Sequence, residues 1–224
     1  ADCLESESEK QFQDGVSLYR DKKYPEAAKA FQGIADRLRD PDIYYNLGNA
    51  YFKSGRLGSA IQYYEKSLRI RYDKDARSNL DYAISSTKDK IHTEETLLEK
   101  YLLRLNPDLF FNLSTLLLMF VGSLTALRVW KKTVPLALIL TLGVFTLILF
   151  STSAAGYLTR NQELAVILND QQGVFVGPSL EEAVSFKLNE GARVKVIEHQ
   201  ENWLRISLPN GLSGWIEAQA AGLI

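Results

Sequence analysis

The chain has 224 residues and a formal net charge of −1, a balance that offers no electrostatic footprint for nucleic acid. Its single cysteine, Cys3, excludes a disulfide framework within the chain. The two histidines, His92 and His199, stand isolated with no Cys or second His at metal spacing, so no metal or other cofactor is expected.

The sequence starts at Ala1 rather than Met. An exported N-terminus requires a targeting signal, so the expectation is a mature chain left after signal-peptide removal. A lipid anchor on Cys3 would need cleavage directly before it, whereas Ala1 and Asp2 precede it here. The acidic start (Asp2, Glu5, Glu7, Glu9) reads as solvated.

Beyond it the chain repeats itself. Gly15, Ala27 and Phe31 recur 33 positions later as Gly48, Ala60 and Tyr64; Phe12 recurs as Tyr45 and Tyr24 as Leu57. Small residues at fixed sites with aromatics between them mark a helical repeat, in which Gly48 and Ala60 let two antiparallel helices approach closely. Asn79-Leu80 repeats Asn46-Leu47, and Ala83 repeats Ala50, but the second helix of a third unit is missing. Asp75 to about Thr87 is therefore expected to cap the stack.

The stretch Tyr44–Leu68 closely resembles a tetratricopeptide repeat, with FQDGVSLYRDKKYPEAAKAFQGI a looser copy before it. The resemblance implies a repeat domain over residues 8–87. The first helix of each pair would line a concave groove carrying Val16, Tyr19, Arg20, Tyr45, Asn49, Phe52, Lys53 and Tyr82. Aromatics mixed with an amide and cations suit a peptide or helix of a partner, while Tyr45 and Phe52 also read as intramolecular packing. Asn49 and Asn79 match the Asn sites of the carboxylate clamp of some such repeats, but Tyr45 stands where a Lys is expected. Two repeats and a cap are marginal alone, which points to support from another protein. Residues 88–106 read as a helical connector whose stripe of Ile91, Leu98, Tyr101, Leu102 and Leu105 faces a bilayer, a partner or its own repeat domain.

Two apolar segments follow, 107–130 and 134–158. No charged residue occurs from Leu109 to Leu127 or from Thr133 to Thr159. Each is long enough for a helix to cross a ~30 Å hydrocarbon core, and neither has the polar face of a soluble helix. They read as a transmembrane hairpin with a turn at 131–133. Arg128, Lys131 and Lys132 cluster at the bend while the outer flanks are mixed in charge. By the positive-inside rule the bend is cytoplasmic and both soluble regions lie outside, which is the periplasm if the membrane is the inner membrane of a Gram-negative bacterium. Asn112 and Thr115 are candidates for hydrogen bonds to a neighbouring helix. No buried acid or base lines the hairpin, which argues against a transport path.

From Arg160 onward the pattern turns to period two. Leu164–Leu168, Gly173–Val176, Ala183–Leu188, Arg193–Ile197, Trp203–Ser207 and Gly214–Glu217 read as short strands. Asn210-Gly211 between two of them is a strong hairpin signal. The motifs VFVGPS, LNEGARVKV and NWLRISLPNGLSGWI resemble a bacterial SH3-like domain, implying a small all-β barrel over 161–224. Trp203 and Trp215 match its two Trp positions and are the candidates for a ligand surface, or else for the core. The usual Arg-Ser-Gly-Pro-Ser turn is altered to Phe175-Val176-Gly177-Pro178-Ser179.

No catalytic constellation emerges: there is no nucleophile elbow, zinc-protease motif or phosphate loop. Glu94-Glu95 and Glu181-Glu182 read as solvated faces. The expected fold class is a multidomain membrane protein made of an all-α repeat domain, a two-helix transmembrane hairpin and an all-β SH3-like barrel. That order resembles the BatE-type proteins of the bacterial aerotolerance (Bat) operon. The resemblance implies a hetero-oligomeric envelope assembly with membrane-anchored von Willebrand factor A-type proteins and, indirectly, a cytoplasmic ATPase of the MoxR type. The expected function is a non-enzymatic scaffold in the lipid bilayer; the alternative is a peptidoglycan-binding anchor that recruits a wall enzyme through its repeats.

Overall fold

The computed structural model describes residues 2–88, 106–131, 134–160 and 163–224. The connector between Lys88 and Asn106, with its apolar stripe, His92, Glu94 and Glu95, lies outside the described residues, as do Lys132 and the side chain of Cys3. The chain forms two compact units: Ala1–Glu94 together with Glu163–Ile224, and Glu95–Gln162.

In the first unit, α1 (Asp2–Arg20) and α2 (Tyr24–Ala35) make one helical pair, and α3 (Pro41–Lys53) and α4 (Leu57–Ile70) the next; α5 (Lys74–Ser85) follows. The acidic start is helical, and Glu7 and Glu9 on it are exposed. Asp40 caps α3 by accepting from the amides of Asp42 and Ile43, with Pro41 in the first turn. Asp73 caps α5 through the amide of Ala76; in both, a side-chain carboxylate satisfies amides that the helix leaves without partners. The 33-residue pattern has a direct steric cause. A methyl group at Gly15 would sit 2.7 Å from the Phe31 ring, and one at Gly48 would sit 2.7 Å from the Tyr64 ring. Each glycine lets the aromatic of its partner helix lie against bare backbone. Helix α5 lays Ala76, Leu80 and Ala83 into the stack, and the last two join Ala60, Ile61 and Tyr64 of α4 in one buried cluster.

The C-terminal part is one antiparallel sheet: β1 (Leu164–Ile167), β2 (Gln172–Phe175), β3 (Val184–Leu188), β4 (Arg193–Gln200), β5 (Trp203–Ser207), β6 (Ser213–Glu217) and β7 (Ala221–Leu223), in the order β3-β2-β6-β5-β4-β1-β7. Among the described residues no pairing joins β3 to β7, so these are the sheet's two edges. Strand β7, too short and glycine-containing for a period-two signal, is an addition to the six expected. Strand β4 runs on to Gln200 because an irregularity between Val196 and Glu198 lets it bend and keep pairing with β5. Gly211, at φ 85°, closes the Asn210-Gly211 turn. The core holds Ile167, Val174, Leu188, Ile206 and Ile216.

Helix α4 joins the repeats to this sheet, packing against β1 and β7. Val166 of β1 enters the cluster formed by α4 and α5. The Gly58 amide donates to the Glu190 carboxylate (2.8 Å), the Gln62 amide to the Leu223 carbonyl (3.0 Å), and the Arg69 guanidinium to the Ile224 carbonyl (3.0 Å). Glu65 and Arg193, both buried, form an ion pair at 3.1 Å. Gly58, Gly191 and Gly222 make the approach close: a methyl group on any of them would fall 2.4 Å from an atom across the boundary. Support for the small repeat stack therefore comes from the same chain, where another protein was expected to provide it. The apolar face left open by a two-repeat solenoid is filled by the sheet.

The second unit is a helical hairpin of α6 (Pro107–Lys131) and α7 (Leu136–Arg160), whose apolar spans have mean hydropathies of 1.8 and 2.2. Both are long and apolar enough to cross a membrane, and little of either span is buried within the protein. Asn106 caps α6, its side-chain oxygen accepting from the Asp108 amide. The seam between the helices holds small hydroxyl residues, Ser114, Thr146 and Ser153, while large apolar side chains face outward, an arrangement suited to lipid rather than water. The Ser153 hydroxyl donates to the Pro107 carbonyl (2.9 Å), and Ser114, Thr115 and Thr146 donate to carbonyls of their own helices. Thr115 is thus tied to its own helix, and Asn112 is exposed. At the bend, Arg128 binds the Val134 carbonyl and Lys131 lies 5.7 Å from the centre of the exposed Trp130 ring.

Candidate functional site

The first helices of the repeat pairs, with α5, enclose a groove of about 290 Å³ lined by Tyr19, Tyr45, Asn49, Phe52, Lys53, Tyr64, Asn79 and Tyr82. Helical spacing puts Tyr45, Asn49, Phe52 and Lys53 on one side of α3, and Asn79 and Tyr82 face them from α5. The structure brings together six of the eight residues expected there. Val16 instead packs against the cluster of Ala27, Phe31 and Leu47, and Arg20, exposed at the end of α1, does not line the groove. Tyr64 and Asn79 complete it.

The groove has a polar floor and an apolar rim. Asn49 accepts from the Tyr64 hydroxyl (2.8 Å) and from the Asn79 amide (2.9 Å), and the Asn79 amide also reaches the Tyr45 hydroxyl (3.3 Å). The two Asn side chains expected at clamp positions are thus bonded to each other, with Tyr45 closing the chain where a Lys would supply charge. Burial raises the pKa of Tyr19 and, more strongly, that of Tyr64, with neighbouring tyrosines adding to both. These hydroxyls stay neutral donors near neutral pH. Phe52 and Tyr82 form the rim, their ring centres 5.6 Å apart, and Tyr82 is 64% exposed. Lys53 is exposed beside them. The groove offers aromatic surface, amide hydrogen bonding and one cation, suited to an extended or helical peptide.

On the sheet, Trp215 is buried and so belongs to the packing. Trp203 is half-buried, with its ring edge-on to Phe175 at 5.5 Å. His199 lies 2.9 Å from the Glu163 carboxylate. Among the described residues no group of three or more His, Cys, Asp or Glu is placed to hold a metal ion.

Helical repeats carrying a groove, an SH3-like sheet and two apolar helices define a modular protein built from interaction domains. Comparison with known families agrees: residues 41–71 match the tetratricopeptide repeat and residues 173–221 the bacterial SH3 domain. Over 73 residues the chain is 32% identical to a Bacillus subtilis (strain 168) protein named "Putative N-acetylmuramoyl-L-alanine amidase YrvJ". That similarity covers 33% of this chain and 14% of the relative, so the chain spans only a small part of its length.

Proposed function

We propose that this protein is a non-enzymatic membrane scaffold of the Bat type, anchored by α6 and α7 and holding a segment of a partner in the groove of its repeats. The observation that carries the reading is the docking of the sheet on α4. The apolar hairpin interrupts the chain between two halves that form one compact unit, so an even number of crossings is required to keep both on one side. Two helices provide that number. Arg128, Lys131 and Lys132 at the bend favour a cytoplasmic turn and a periplasmic unit. The Bat-like order of domains makes membrane-anchored von Willebrand factor A-type proteins the first partners to test, with a MoxR-type ATPase reached through them. A photo-crosslinking amino acid at Phe52 or Tyr82 in the native host, followed by mass spectrometry, tests this. Capture of such membrane proteins is the expected result; capture of unrelated proteins alone overturns it.

A second reading is favoured by the match to the bacterial SH3 domain and by the likeness to a protein named as a wall amidase. In it, the sheet grips peptidoglycan while the repeats recruit a wall enzyme. Co-sedimentation of the full chain with purified cell wall, lost on Trp203→Ala, would support it. The full chain is the right probe, because an isolated 161–224 fragment would expose Val166 and Arg193.

A further inference from the structure

We propose that one end of the first unit, where α2 and α4 terminate, rests on the lipid bilayer; this depends on α6 and α7 spanning the membrane as proposed above. The chain carries the same motif where each of these helices ends, Arg37-Leu38-Arg39 just after α2 and Arg69-Ile70-Arg71 at the end of α4, the second followed by Tyr72. Leu38, Ile70 and Tyr72 are 45%, 48% and 46% exposed. They are large apolar side chains, each about half exposed, just after α2 and at the end of α4. Arginine beside aliphatic and tyrosine side chains is the composition of a surface that sits at headgroup level, with carbon below and charge at the phosphates.

What covers this end follows from the path of the chain. The Ile224 amide donates to the Leu164 carbonyl (2.9 Å), and the Ile224 carbonyl accepts from Arg69 (3.0 Å). The first residue of β1 therefore lies beside the end of α4. Only residues 161–162 separate Arg160, the last residue of α7, from Glu163, so in the proposed arrangement the chain passes from the membrane span to β1 within a few residues. A fourth exposed apolar residue, Ile197, follows Val196, whose amide donates to the Glu163 carbonyl (2.9 Å). At the other end of the unit, Gly58 packs on Ile167, and Lys88 pairs with Asp170. The charge near the bilayer is mixed: Asp42 pairs with Arg71, and Asp40 and Asp73 are helix caps. The contact is therefore mainly apolar and only weakly dependent on salt.

The test uses the full chain with Cys3→Ser, reconstituted in vesicles of phosphatidylcholine and phosphatidylglycerol. A bimane label is placed in turn on Leu38→Cys, Ile70→Cys, Asp21→Cys at the far end of α2, and Leu147→Cys within α7. Quenching by spin-labelled lipids is expected to be several-fold stronger at Leu38 and Ile70 than at Asp21, and strong at Leu147. Quenching at Leu38 and Ile70 no greater than at Asp21, with Leu147 quenched, overturns this contact and leaves the hairpin standing. Absence of quenching at Leu147 overturns both. Labels at Leu38 and Ile70 that are shielded from iodide but untouched by spin-labelled lipid mean that a protein covers this end, which also overturns the proposal.

Discussion

Glu65 on α4 and Arg193 on β4 form a buried ion pair at 3.1 Å across the boundary between the repeats and the sheet. Arg69 lies close enough to be influenced by both. Burial lowers its pKa, Glu65 opposes that shift and Arg193 adds to it. Charges removed from water need one another, so the pair makes the two halves interdependent even where its net contribution to stability is small.

Removing one member should therefore cost far more than removing both. Arg193→Met is expected to destabilise the unit by about 3–5 kcal/mol, because it leaves Glu65 buried without its partner. Glu65→Leu combined with Arg193→Met should recover most of that loss. Thermal unfolding of the four proteins of this double-mutant cycle, in detergent, measures the coupling. Additive losses would show that the two charges act separately.

The interhelical turns of the two repeats differ by one residue in a shared backbone conformation. Gly55 has φ 80° and Lys22, 33 positions earlier, has φ 62°. A side chain in the left-handed region costs about 1 kcal/mol, and a methyl group at Gly55 would meet nothing within 4 Å. Gly55→Ala should thus destabilise by about 1 kcal/mol through conformation alone. Lys22→Gly should stabilise by less than that, because glycine also loosens the unfolded chain. Urea unfolding midpoints of the two variants check both signs.

Alkaline pH should weaken the repeats, with Tyr63 one of the buried tyrosines responsible. Burial, partly offset by the hydrogen bond to Gln32, pushes the Tyr63 hydroxyl up to about 12. In the unfolded chain a tyrosine titrates near 10. The folded state holds the proton more tightly, so the stability this group contributes is fully present below about pH 10 and is lost as pH rises toward 12. Tyr63→Phe should flatten the pH dependence of the melting temperature over that window; an unchanged slope would assign the effect to other groups.

Much of this architecture can be read from local pattern. The 33-residue spacing of Gly15 and Gly48, and of Phe31 and Tyr64, gives the repeats because each glycine meets its aromatic within one helical pair. Charge-free runs give the hairpin, and Asn210-Gly211 gives the β5–β6 turn. The docking of α4 on the sheet is not legible this way. Glu65 and Arg193 look like ordinary surface charges in their own elements, and Gly191 and Gly222 look like loop and strand-end glycines. Burial of each depends on a surface supplied from the other side of the hairpin. In the groove, Tyr45, Asn49 and Phe52 follow from helical spacing. Tyr64 does not, because it belongs to the second helix and reaches the groove floor through its hydroxyl, and Val16 was drawn inward by the core around Phe31.

The central claim is that repeats and sheet form one unit on a single side of the membrane. A Cβ on residue 222 falls 2.4 Å from the Gln62 side chain, so Gln62→Cys with Gly222→Cys in a Cys3→Ser chain places two thiols for a bridge. Mild oxidation of native membranes carrying this variant should give a reducible shift in gel mobility for nearly all of the protein. Two thiols that react freely with maleimide and never join would contradict the account.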